Sequence, residues 1–115
     1  VHGLGRFIRK NVVAEKDQCI SAKEMKIYAP HGACMIFSKE YFLQGGYLDN
    51  GFTFYGEEIS IAEISREIGL SIIYIPGLEV LHNEHSSTRY SDWLTSYNQA
   101  KETYRYLRKK YALKT

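Results

Sequence analysis

Two adjacent carboxylates, Glu57 and Glu58, follow a glycine at the end of an aromatic run, Phe52-Thr53-Phe54-Tyr55-Gly56. The apolar pattern that begins there is helical, which puts both acids in a first helical turn. Unpaired N–H groups and the positive dipole end favour negative charge at such a position, one sufficient reason for acids there. A second reason is chemical: a carboxylate beside a turn can hold a base within reach of a substrate hydroxyl. Other residues able to do chemistry lie at the ends of elements. His31 and Gly32 open one apolar segment, His82 closes another, and Arg89 follows the hydroxyls of Ser86, Ser87 and Thr88. A lone histidine at a strand end serves packing as readily as ligation, because a metal site needs several ligands converging. His85, in a segment that reads as loop, is no second ligand by spacing alone. Arg89 suits phosphate through its planar fork, and a plain surface loop explains it equally well. Gly32 permits close backbone approach to a ligand, or simply a tight turn after Pro30.

A short series of elements must position these groups. Residues 25–29 alternate apolar and polar like a short strand, and Pro30 ends it. The run 33–37 is continuously apolar, as a strand buried on both faces would be, with Cys34 and Met35 as core filler. Ser38 can cap a short helix through Leu43, stopped by Gly45-Gly46, and Asp49-Asn50-Gly51 is turn chemistry. The helix after Gly56 runs to about Ile68, with Gly69 as its stop. Ile61, Ile64 and Ile68 form its apolar stripe; carried backwards, the stripe passes through Glu57 and leaves Glu58 at its edge. Residues 71–75 and 78–82 read as strands, the second delivering His82 at its end. The three strands 33–37, 71–75 and 78–82 are expected in one sheet or adjacent sheets, with the isoleucine stripe packed on them. Asp92 then caps a long helix over 92–111, whose Trp93, Tyr97, Ala100, Tyr104, Leu107 and Tyr111 make one apolar seam. Lys101, Arg105, Arg108, Lys109, Lys110 and Lys114 make its end basic. Those cations complement the helix dipole, or attract anionic lipid or a phosphate-bearing substrate. Residues 1–24 are a poorly defined lead-in.

Composition narrows the function classes. The chain has 115 residues, enough for one small domain with a modest core. Its formal charge of +2, from 15 basic and 13 acidic residues, is too balanced to argue for nucleic acid. Ten tyrosines, each an apolar body with a polar tip, suit grooves and interfaces. No apolar run is long enough for a membrane span, and no signal peptide is visible. Cys19 and Cys34 have neither metal nor redox spacing, so free thiols in a reducing compartment are expected. The start at Val1 rather than methionine suggests a processed or trimmed product, or a piece of something longer.

The order of features is more specific than any one of them. It runs His31-Gly32-Ala33, Gly45-Gly46-Tyr47-Leu48-Asp49, Phe54-Tyr55-Gly56-Glu57-Glu58 and Gly69. Then come Ile72-Ile73-Tyr74-Ile75-Pro76, Val80-Leu81-His82 and Ser86-Ser87-Thr88. From about residue 28 to 111 this series resembles the C-terminal, acceptor-side part of family 2 glycosyltransferases of the GT-A fold. The resemblance implies an α/β chain: a partial Rossmann-like GT-A fold with a short mixed sheet, packed helices and a long C-terminal helix. The whole of 1–115 would be a single fragment of a transferase domain. The family's nucleotide-binding half and its Asp-x-Asp motif are absent from this sequence.

By the same resemblance Glu57-Glu58 occupies the place of the family's Glu-Asp pair. Glu58 would be the general base of an inverting transfer and Glu57 its companion. His31, Gly32 and Arg89 would touch substrate, and His82 would help hold a metal or diphosphate. A divalent metal, magnesium or manganese, would belong to the full-length enzyme and not to this fragment alone. The partners implied are a nucleotide sugar and a glycan or lipid-linked acceptor in polysaccharide biosynthesis, without nucleic acid. Self-association through the face left by the missing half, and peripheral membrane contact at the inner face in the cytoplasm, are further expectations. The chain departs from the family's pattern where Glu58 replaces aspartate, Ser60 a frequent aspartate and Ile64 a frequent arginine. Those departures bear on acceptor choice. The alternative class is a non-catalytic binding or structural module that keeps the fold.

Overall fold

The computed structural model describes residues 23–83 and 92–113. Along the chain these form β1 (Met25–Ile27), α1 (Lys39–Leu43), α2 (Glu57–Glu67), β2 (Ile72–Tyr74) and α3 (Trp93–Tyr111). The result is a mixed α/β chain with a two-stranded antiparallel sheet and three helices among the described residues. β1 and β2 pair Met25 with Tyr74, Lys26 with Ile73 and Ile27 with Ile72.

The helices begin and end where side-chain chemistry dictates. Ser38 Oγ accepts from the Tyr41 N–H at the start of α1, and Asp92 Oδ1 accepts from the Thr95 N–H at 2.6 Å at the start of α3. At the end of α2 the Gly69 N–H donates to the Arg66 carbonyl and the Leu70 N–H to the Ser65 carbonyl. That paired closure needs a left-handed residue, and Gly69 supplies it with φ of 77°.

α2 is the centre of the molecule, buried continuously from Ser60 to Ser65. Ile61 and Ile64 are buried as the stripe requires, and Ile68 is half-buried. Glu63 is buried too, which would be costly without partners. Tyr28 donates to its Oε1 at 2.6 Å, while Arg66 donates to Oε2 through Nε at 3.1 Å and Nη2 at 2.5 Å. Burial pushes the Glu63 carboxyl up; the hydrogen bonds from Tyr28 and Arg66 outweigh it and hold the group below its ordinary value. The Tyr28 bond also fastens the end of β1 to α2.

Three sequence expectations are corrected here. Residues 33–37 and 78–82 are not strands, and the sheet is antiparallel rather than mixed among the described residues. An apolar run becomes a strand only when a neighbour lies within hydrogen-bonding reach, and these two runs instead form walls of an open trough of about 1510 Å³. Ile36 is 77 % exposed and Leu81 90 % exposed along it. Second, the aromatic seam of α3 is not a buried line. Trp93 is 79 % exposed, Tyr97 57 % and Tyr104 49 %. Of the seam Leu107 is buried, and its buried companion is Thr103, one turn earlier and off the line. A threonine can be buried there because its hydroxyl donates to the Phe54 carbonyl at 2.7 Å. Third, Glu57 is exposed and Glu58 half-buried, the reverse of the order expected from the stripe.

Candidate functional site

The turn that opens after Pro30 and the first turn of α2 meet at one end of the trough. The Gly32 N–H donates to Glu58 Oε1 at 2.5 Å across 26 residues of sequence. A Cβ built on Gly32 would stand 3.0 Å from Glu58 Oε1 and 3.2 Å from Glu57 Oε1. Both carboxylates therefore converge on Gly32, and a side chain there would have to push them back by a few tenths of an ångström. The turn is held by the Cys34 N–H donating to the His31 carbonyl at 3.2 Å. His31 Nδ1 accepts from the Ala33 N–H at 3.0 Å. That bond leaves Nε2 as the protonated nitrogen of the neutral ring.

His82 approaches from the far wall. Its ring centroid lies 6.0 Å from that of His31, nearly edge to face at 73°. His31, Glu58 and His82 all line the trough. Of the residues singled out by sequence, His31, Gly32, Glu57, Glu58 and His82 are thus brought together. Arg89, with Ser86, Ser87 and Thr88, lies outside the described residues. The resemblance implies a divalent metal near His82. No group of three or more metal-ligating side chains occurs among the described residues, so these residues do not by themselves make a metal site.

The loop that delivers the carboxylates is under tension and is braced from behind. Tyr55 has φ of 70°, a left-handed conformation that a bulky side chain rarely adopts. Such strain costs on the order of 1–3 kcal/mol and persists only where surrounding contacts impose it. Those contacts come from α3: Thr103 holds the Phe54 carbonyl, and the Tyr106 ring packs against Phe52 at 6.1 Å between centroids.

Behind that loop lies a cluster that the sequence did not reveal. The Asp49 side chain is only 1 % exposed. Its Oδ1 accepts from the Gly51 N–H at 2.9 Å and the Tyr106 hydroxyl at 2.8 Å. Its Oδ2 accepts from Lys110 Nζ at 3.0 Å and from the Tyr111 hydroxyl. Burial works to raise the Asp49 carboxyl; the hydrogen bonds from Tyr111, the Gly51 N–H, Lys110 and Tyr106 overcome it and hold the group at about 2. Lys110 is raised in turn, first by its hydrogen bond to Asp49. The cluster pins the loop ahead of α2 to the last turns of α3. Asp49 stood in the sequence as a turn residue and as the end of the Gly45-Gly46-Tyr47-Leu48-Asp49 motif, neither of which names its helix partners 57 to 62 residues away.

Compared with known protein families, with curated proteins and with solved structures, the chain gives no match in any of the three. What can be said of its chemistry comes from the geometry and from the ordered motifs.

Proposed function

We propose that the chain is the acceptor-side part of an inverting glycosyltransferase with a Rossmann-like GT-A fold. In this reading it works with a nucleotide-binding half to move a sugar from a nucleotide sugar to a glycan or lipid-linked acceptor in the cytoplasm. One observation carries the reading: Glu58 is hydrogen-bonded to the Gly32 N–H at the end of an open trough that His31 and His82 also line. Two segments 26 residues apart in the ordered motif series thus meet at one carboxylate. The exposed apolar trough walls also suit the reading, since a partner half would cover them.

The chemistry follows from the carboxylate. Glu58 Oε1 is occupied by the Gly32 N–H, which leaves Oε2 for the acceptor hydroxyl. As the acceptor oxygen attacks the anomeric carbon, its proton passes to Glu58. The bond from that carbon to the diphosphate oxygen breaks, and the nucleoside diphosphate leaves with the electron pair. A single in-line displacement inverts the configuration. A free hydroxyl is a poor nucleophile, so a base within hydrogen-bond reach is what makes the step fast.

The reading is tested by joining the chain to the coding sequence that precedes it. That sequence should contain a strand–helix series ending in Asp-x-Asp, and the joined protein should transfer sugar while the 115-residue chain alone should not. Turnover by the chain alone would refute the division of labour. Inactivity of the folded, joined protein across nucleotide sugars and glycan acceptors would favour a non-catalytic module. Gly32→Ala in the joined protein tests the positioning of the base. The new Cβ must push the Glu58 carboxylate by a few tenths of an ångström. Transfer should fall about tenfold, with a stability change within about 1 kcal/mol. Unchanged transfer would show that the Gly32 contact does not position the base.

A further inference from the structure

We propose that α3 lies flat on an anionic membrane surface through the face that carries Trp93, Tyr97 and Tyr104. The proposal rests on the exposure of that face and does not depend on sugar transfer. At 3.6 residues per turn the three aromatic residues fall within an arc of about 40°, and Lys101, Arg105 and Arg108 occupy roughly the next 80°. The one acidic residue of α3, Glu102, lies outside that arc. Thr103 and Leu107, which pack α3 onto the rest of the molecule, flank the aromatic arc on the side away from these cations, Leu107 about 40° and Thr103 about 80° round from Trp93. The exposed face is therefore aromatic and cationic at once. Arg108 shares it physically with Tyr104, its guanidinium 5.6 Å from the ring centroid.

That pairing of residue types selects the occupant. Tryptophan and tyrosine settle at the level of lipid headgroups, where the ring is half in hydrocarbon and the polar tip stays wet. Lysine and arginine beside them meet the phosphates and carboxylates of anionic headgroups. A protein partner would favour a face with its centre depleted of charge. Nucleic acid would call for a stronger basic excess than the +2 of this chain. No helix among the described residues is long and apolar enough to cross a membrane. The 19 residues of α3, about 28 Å long, would instead lie in the plane of the interface.

Trp93 is the chain's single tryptophan, so its fluorescence reports on this face alone. The whole chain is mixed with vesicles of phosphatidylcholine containing one-third phosphatidylserine, and with vesicles of phosphatidylcholine only. The expected result is a blue shift of Trp93 emission, quenching by lipids brominated near the headgroup, and co-flotation with the anionic vesicles. Affinity for phosphatidylcholine alone should be weaker on the order of a hundredfold, the effect of three surface cations. High salt should reduce the difference. The triple variant Lys101→Gln, Arg105→Gln, Arg108→Gln keeps the reporter, and its affinity should fall to that for phosphatidylcholine. Circular dichroism establishes that its helices are intact; if they are not, brominated-lipid quenching of the unaltered chain decides alone. Absence of both blue shift and flotation with anionic vesicles would overturn the proposal, as would equal affinity for both vesicles. A Trp93 response to single-stranded RNA without any to vesicles would assign the face to nucleic acid and overturn it as well.

Discussion

Replacing Glu58 by glutamine in the protein joined to its nucleotide-binding half is expected to lower sugar transfer by about 10²- to 10⁴-fold, with donor binding nearly unchanged. Glutamine preserves the size of the side chain and can still accept the Gly32 N–H through its amide oxygen. It cannot take up the proton of the attacking hydroxyl. With the natural Glu58, the positive charge that develops on the attacking oxygen meets a carboxylate held in place by the Gly32 N–H. Glu57→Gln is the comparison. Glu57 is exposed, so its replacement should alter stability by less than about 0.5 kcal/mol. Steady-state transfer with donor binding measured separately distinguishes the two. Near-normal transfer by Glu58→Gln, with Glu57→Gln inactive and folded, would move the base to Glu57.

Asp49→Ala should destabilise the chain by about 3 kcal/mol at neutral pH, one of the larger costs a single substitution can carry here. The variant leaves the Tyr106 and Tyr111 hydroxyls and Lys110 facing a gap, and frees the loop ahead of α2 from α3. Its pH dependence separates this cause from lost packing. The folded Asp49 carboxyl is held at about 2 against an ordinary 3.8, a depressed value. A depressed carboxylate stabilises fully above its unfolded value and loses that contribution as pH falls through the folded one. The difference between the natural chain and the variant should therefore be constant above about pH 5 and shrink by roughly 2 kcal/mol between about pH 4 and 2. Urea unfolding at several pH values measures it. A difference that stays constant down to pH 2 would mean that Asp49 acts through packing and not through charge.

The local elements were legible because their causes are local. Ser38 and Asp92 announce helix starts by offering an oxygen to nearby N–H groups, and Gly69 announces an end by accepting a left-handed backbone. The isoleucine spacing of α2 states which side is buried, and Ile61 and Ile64 are buried there. That Glu57 and Glu58 open α2 was legible from the glycine before them and the apolar spacing after them. Pairing was not. Whether 33–37 and 78–82 become strands depends on which segment lies beside them, and no period within either run carries that information. The apolar repeat of α3 marked a continuous line, of which Leu107 is buried while Trp93, Tyr97 and Tyr104 are exposed, and burial extended to Thr103, whose hydroxyl finds the Phe54 carbonyl 49 residues away. The Asp49 cluster has the same origin: its donors are ordinary tyrosine and lysine side chains until the chain folds them onto one carboxylate. Helix caps and stripes are set by neighbours within a few positions, so the amino-acid order determined them. Glu58 against Gly32, His31 beside His82 and the brace behind the strained Tyr55 were decided only by tertiary structure, because each joins groups whose separation along the chain says nothing of their separation in space.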